Sequence, residues 1–93
     1  MIKFRSPIHI VKSVTFDAHS VATVPDGDDA VDIPFDYKLT LRIDKVSAVY
    51  PYIAVNNDTK KVTVSEKKTT IETDCGTYTV WGSEREIREK LGL

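Results

Sequence analysis

Apolar and polar residues alternate along much of this chain, which is the pattern of half-buried β-strands. Residues 38–44 show the pattern most clearly, because Leu39, Leu41 and Ile43 fall on one face and the intervening positions are polar. Residues 46–55 are rich in β-branched and aromatic side chains, but Pro51 lacks the amide hydrogen that a central strand needs. We therefore predict that this second strand is broken, bulged or at a sheet edge near Pro51.

Turn residues divide the following segment. Residues 56–59 read Asn-Asn-Asp-Thr, a composition typical of turns. Alternation returns in residues 61–65 and 68–73, and we predict two strands of a hairpin joined at Glu66 and Lys67. Gly76 is expected to form the next tight turn, and residues 77–81 the last strand, with Tyr78 and Val80 facing inward.

A helix is predicted at the C-terminal end. Ser83 followed by Glu86 is a capping-box pattern, and Ile87 and Leu91 form an apolar stripe four residues apart. Gly92 is a typical helix stop. Because a helix this short is marginal alone, its stripe must pack on the sheet.

The N-terminal part is predicted to contribute further short strands, at residues 2–5, 8–16 and 20–24, followed by an acidic loop over residues 25–32. The predicted fold is mainly β (α+β), an antiparallel sheet or small half-open barrel with one short C-terminal helix. We expect a single domain over residues 1–93. Within it, residues 1–36 supply N-terminal strands and the loop, and residues 37–92 form the β-meander and helix.

The composition mainly excludes classes of function and indicates none directly. The 93 residues carry a formal net charge of −1, so no overall basic field attracts phosphates. A single cysteine excludes an intrachain disulfide and favours a reducing compartment. No signal peptide or membrane span is recognisable in the sequence, so a cytoplasmic location is expected, in a bacterial cell or a phage-infected host.

The acidic loop, residues 26–32, suggests a calcium site, because Asp26, Asp28 and Asp32 could supply oxygen ligands. An EF-hand beginning at Asp26 would need an oxygen ligand at Ala30 and glycine at Val31, so the pattern fails. A solvated loop that protects a sheet edge is the favoured interpretation.

Catalytic residues are not indicated. His9, His19 and Cys75 could supply zinc ligands or a nucleophile and base, but their spacings match no such pattern. We therefore predict no enzyme activity, no metal and no cofactor.

Two binding surfaces are candidates. Tyr50, Tyr52 and outward-facing Trp81 suggest a protein interface, since such patches favour Tyr and Trp; the competing interpretation places two of these rings in the core. The alternative is a nucleic-acid platform on the predicted hairpin, formed with four lysines, Lys60, Lys61, Lys67 and Lys68. Asp58, Glu66 and Glu72 in the same region weaken that alternative.

The segment from Ile43 to Leu91 resembles small bacterial and phage proteins of the flagellar-operon FlbD-like family. The resemblance rests on three short strand motifs and the helix: Ile43-Asp44-Lys45-Val46, Thr69-Thr70-Ile71-Glu72-Thr73, Gly76-Thr77-Tyr78-Thr79-Val80, and Ser83 to Leu91. It implies an antiparallel sheet with a C-terminal helix and no known enzyme activity, and it assigns no functional residue. Three parts of the chain depart from that pattern, namely the N-terminal forty residues, the region of Tyr50-Pro51-Tyr52, and Trp81-Gly82.

Together these features predict a non-enzymatic interaction module, bacterial or phage-encoded, that acts by self-association as a homo-oligomer or by binding a larger protein. The physical reason is that exposed sheet edges and outward aromatic side chains favour contact with another molecule. Nucleic-acid binding through the four lysines is the alternative.

Overall fold

The computed structural model describes residues 12–93. It contains five strands, β1 (Ser13–Asp26), β2 (Asp29–Arg42), β3 (Val46–Asn56), β4 (Lys61–Thr73) and β5 (Gly76–Trp81). A single 3₁₀ turn, Ile43–Lys45, joins β2 to β3, and one helix, α1 (Glu84–Leu91), follows β5. The strand predicted at residues 2–5 and the first part of the one predicted at residues 8–16 lie outside this part of the chain. From Ser13 on, the strands predicted at residues 8–16 and 20–24 are one continuous strand, β1.

The five strands form one antiparallel sheet in the order β2-β1-β5-β4-β3, which curls into a half-barrel. The predicted fold class, mainly β with one short C-terminal helix, is confirmed. Strands β2 and β3 are the two outer edges of the sheet. Pro51 therefore lies on an edge strand, as predicted, and Pro34 lies on the other edge.

The first two strands form one long hairpin. They pair without interruption from Ser13 opposite Arg42 to Asp26 opposite Asp29, and Gly27 takes a φ of 64° in the two-residue turn. The prediction of an acidic loop over residues 25–32 is therefore wrong. Most of those residues belong to paired strands, because a strand with a partner on one side only tolerates proline and charge that a central strand does not.

The third and fourth strands form a second long hairpin. Its turn lies where the sequence predicts it, and the Asn56 side chain accepts hydrogen bonds from the amides of Asp58 and Thr59. Residues 61–73 form one strand, so the predicted hairpin turn at Glu66 and Lys67 is wrong. The Ser65 hydroxyl accepts hydrogen bonds from the amides of Lys67 and Lys68, and this local contact supports a bulge that bends the strand without reversing it.

The two hairpins project in opposite directions from the sheet centre. Strands β1 and β4 both run antiparallel to β5, but β1 ends at its hairpin turn whereas β4 begins at its own. The described chain measures 72 × 30 × 18 Å, with a radius of gyration of 18.1 Å. A compact domain of this length would have a radius of gyration of about 12 Å, so the hairpins extend well beyond the core.

The core lies on one face of the sheet at its centre. Phe16, Ala18, Ile71 and Val80 are almost fully buried there. Helix α1 covers them with its apolar stripe of Ile87 and Leu91, both buried as the four-residue spacing predicts. We call this the core face of the sheet, and the opposite side its outer face.

The ends of α1 follow the sequence signals. The Ser83 side chain accepts a hydrogen bond from the Glu86 amide at 3.2 Å, and Gly92 ends the helix in the left-handed conformation with φ 77°. Gly82 connects β5 to the helix at φ 129°, and a Cβ there would lie 2.9 Å from Ile87 Cδ1. Glycine is therefore required where the chain turns from the sheet back over the core.

Candidate interaction surfaces

The hairpin beyond the core, residues 20–36, is called arm 1. Its strands pair only with each other, because β1 pairs with β5 at Ala18 and His19 alone. Alternation places four large apolar side chains of arm 1 on the core face, and these are Val24, Val31, Ile33 and Phe35. They are 42% to 48% exposed, so no other element among residues 12–93 covers this face of the arm.

The opposite hairpin, residues 53–68, is called arm 2, and it also carries large apolar side chains that are exposed. Ile53 lies opposite Val64, and Val55 lies opposite Val62, so the four share one face. Val64 also borders a groove lined by residues of α1, which identifies this face as the core face. The four side chains are 50% to 64% exposed.

Helix α1 covers only the middle of the core face. Eight helical residues span about 12 Å, whereas the described chain is 72 Å long. An isolated two-stranded hairpin is at best marginally stable in water. The arms therefore present apolar surface at both ends of the molecule that its own described elements leave uncovered.

The groove at the base of arm 2 extends this apolar surface to the helix. It is an open depression of about 800 Å³, and its apolar walls include Pro51, Val64 and Leu93. Arg85 and Arg88 of α1 also line it, but each makes an i,i+4 ion pair with a glutamate. The groove is thus mostly apolar, with its cations already paired.

The two arms carry opposite formal charges, although the net charge of the whole chain is only −1. Arm 1 has no lysine or arginine and has formal charge −5 from five carboxylates, Asp26, Asp28, Asp29, Asp32 and Asp36. Arm 2 has formal charge +2, from four lysines against Asp58 and Glu66. The molecule is therefore negative at one end and positive at the other.

The predicted aromatic surface lies on the outer face. Trp81 is 39% exposed, and Tyr52 is half-buried. The Lys68 ammonium lies 4.7 Å from the centre of the Tyr52 ring and 5.4 Å from that of Trp81. A single cation therefore links these two rings at the base of arm 2.

Trp81 is also held by the base of arm 1. Its Nε1–H donates to Asp36 Oδ1 at 2.9 Å, and His19 Nδ1 lies 2.8 Å from the same oxygen. The hydrogen bonds from His19 and Trp81 lower the pKa of Asp36 below its ordinary value. These contacts fix the tryptophan between the two arms.

The third predicted ring has a different environment. Tyr50 is half-buried and its hydroxyl donates to Glu72 Oε1 at 2.7 Å, which raises the pKa of the tyrosine. None of Tyr50, Tyr52 and Trp81 belongs to the buried core. The interpretation that placed two of them in the core is therefore wrong, but only Tyr52 and Trp81 share the Lys68 cation.

The four predicted lysines occupy two places. Lys60 and Lys61 lie at the tip of arm 2, and Lys67 and Lys68 lie at its base, beyond the bulge. They therefore belong to one arm but not to one compact patch.

The other candidates remain dispersed. His19 belongs to the Asp36 contact, whereas Cys75 is exposed in the turn before β5; His9 lies outside the described part of the chain. Among residues 12–93, no group of three His, Cys, Asp or Glu side chains could hold a metal ion. Over the same span, the helical segment is too short and polar to cross a membrane.

The fold and these surfaces define a small, mainly β protein with two arms whose apolar faces no other described element covers. No protein-family model, curated protein or solved structure matches the chain. The apolar faces of the arms are the surface that sequence reasoning missed. Their signal was present, since alternation continues through residues 20–36, but prolines and carboxylates there favoured a loop.

Proposed function

We propose that this protein is a non-enzymatic interaction module that acts by self-association through its arms. The observation that carries the proposal is a pair of apolar ribbons, at opposite ends of the molecule, that no other element of residues 12–93 covers. Large exposed apolar patches on small proteins mark interaction sites, and a second copy supplies the same kind of surface. The FlbD-like resemblance and a cytoplasmic, bacterial or phage setting remain predictions that fit this role.

Face-to-face contact is favoured over addition of strands at the sheet edges. Pro34 in β2 and Pro51 in β3 each remove an amide donor from an outer edge. The core faces of the arms carry the large apolar side chains, whereas the edges carry these interruptions. Packing of one apolar ribbon on another therefore stabilises association more than extension of the sheet.

Light scattering coupled to size-exclusion chromatography tests the proposal across protein concentration. We expect a molar mass that exceeds the 10.4 kDa of one chain and rises with concentration. A variant with threonine at apolar positions of both arms, Val24, Val31, Val55 and Val62, should be monomeric and folded. A wild-type monomer at every concentration would refute self-association.

A second candidate is binding of single-stranded nucleic acid, which the grouping of Lys68 with Tyr52 and Trp81 favours. It predicts that affinity for a labelled oligonucleotide, measured by anisotropy, falls steeply with salt. Replacement of Lys60, Lys61, Lys67 and Lys68 by alanine should then abolish binding. Salt-independent or undetectable binding by the wild-type chain excludes this candidate.

A further inference from the structure

We infer that the arms associate head to tail, arm 1 of one copy against arm 2 of the next. This inference rests on the proposed self-association and specifies its geometry. Both arms present apolar core faces, but their formal charges are −5 and +2. Contact between unlike arms brings opposite charges together, whereas contact between two copies of arm 1 opposes five carboxylates with five more.

The distribution of charge along each arm supports the same pairing. When two arms overlap lengthwise and point towards each other, the tip of each lies near the base of the other. The acidic turn of arm 1, with Asp26 and Asp29 on the core face, then approaches Lys67 at the base of arm 2.

Because the two arms project in opposite directions, each copy can contact two neighbours, and this decides the kind of assembly that forms. After one unlike contact, the first copy retains a free arm 2 and the second a free arm 1. Contacts of this heterologous kind close into a ring or continue as a filament. The wild-type chain is therefore expected to form assemblies larger than a dimer.

Two arm-specific variants test the pairing. The arm 1 variant carries Val24→Thr, Val31→Thr and Ile33→Thr, and the arm 2 variant carries three changes, Val55→Thr, Val62→Thr and Val64→Thr. Threonine suits strands, so circular dichroism should show both to be folded. Each variant has one intact arm, which finds no unlike partner among its own copies.

Alone, each variant should be monomeric under conditions in which the wild-type chain assembles. Mixed, the two should form a 1:1 heterodimer of two chains and nothing larger, since only one unlike pair of intact arms exists. A homodimer of either variant would overturn the head-to-tail pairing. Unchanged assembly of both variants would also overturn it while leaving self-association intact, whereas a monomeric wild-type chain would refute the proposed function itself.

Charge reversal tests the pairing without altering apolar surface. Replacing Asp26, Asp28 and Asp29 by lysine changes arm 1 from −5 to +1, and Lys61→Glu with Lys67→Glu changes arm 2 from +2 to −2. Lys60 is retained because its φ is 57°, and Lys68 because it contacts two rings.

Each reversal alone should weaken association at low salt at least tenfold, and the combined variant should restore it. This rescue distinguishes unlike from like pairing, because a contact between two copies of arm 1 gains no new opposite charge in the combined variant. Equal association of all four proteins by light scattering would overturn the role of charge in selecting the partner arm.

Discussion

The variant Val24→Thr, Val31→Thr and Ile33→Thr allows an estimate of how much the core face of arm 1 contributes to the free energy of association. Each original side chain is 42% to 48% exposed, so nearly half of its surface remains to be covered. Full burial of a valine or isoleucine stabilises by about 1.5–3 kcal/mol, and the remaining half by about 0.7–1.5 kcal/mol. Three such side chains contribute about 2–4.5 kcal/mol to association.

That contribution corresponds to about 30- to 1,600-fold in the dissociation constant, at 1.4 kcal/mol for each factor of ten. Threonine retains one methyl group, so we expect the lower part of this range, about 30- to 300-fold. The free energy of unfolding of the monomer should change little, because surface substitutions are usually within about 0.5 kcal/mol each. Sedimentation equilibrium measures the first quantity and urea denaturation the second.

Val21→Thr is the matched control on the same arm. Val21 is 51% exposed but lies opposite Pro34 on the outer face, away from the other four apolar side chains. Its replacement should leave the dissociation constant within about twofold. If the control weakens association as much as the triple variant, or the triple variant associates normally, then the core face of arm 1 is not the contact surface.

Three further predictions concern stability and the outer face. Gly82→Ala should lower the free energy of unfolding by about 2–5 kcal/mol, because φ is 129° and the new methyl group meets Ile87; thermal unfolding measures this. Ser83→Ala should cost about 1 kcal/mol through loss of the helix cap, and Ser83→Asp should retain stability in the same assay. Asp36 has a depressed folded pKa, so its stabilising contribution is present above the unfolded pKa and is lost as pH falls through the folded value. Fluorescence of Trp81, the only tryptophan, should report this acid transition, and Asp36→Asn should remove it while other acid transitions remain.

Local chemistry explains which parts of the fold the sequence could predict. The Ser83 cap, the Gly92 stop and the Gly76 turn depend on residues adjacent in the chain, and each is where the sequence predicts it. The bulge at Ser65 could not be distinguished from a turn, because both use a side chain that accepts backbone amides.

The candidate surface was harder to predict for a different reason. Alternation shows that one face of a strand is apolar, but it does not show whether another element of the chain covers that face. Leu41 and Ile33 lie on the same face of β2, yet one is buried in the core and the other is about half exposed in arm 1. Leu41 is buried because it packs in the core that α1 covers, whereas α1 is too short to cover Ile33.

The limited pairing between β1 and β5 has a consequence for folding. Each hairpin forms from neighbouring parts of the chain, whereas the pairs Ala18–Val80 and His19–Thr79 join positions about sixty residues apart. Closing this junction therefore follows hairpin formation, because the loop entropy must be overcome first. Opening at this junction breaks the fewest strand pairs, two, and divides the core between the two hairpins, with the 3₁₀ turn Ile43–Lys45 as hinge. Opening there frees the edges of β1 and β5 with both hairpins intact, so two chains meeting in that state can exchange whole hairpins as a domain swap.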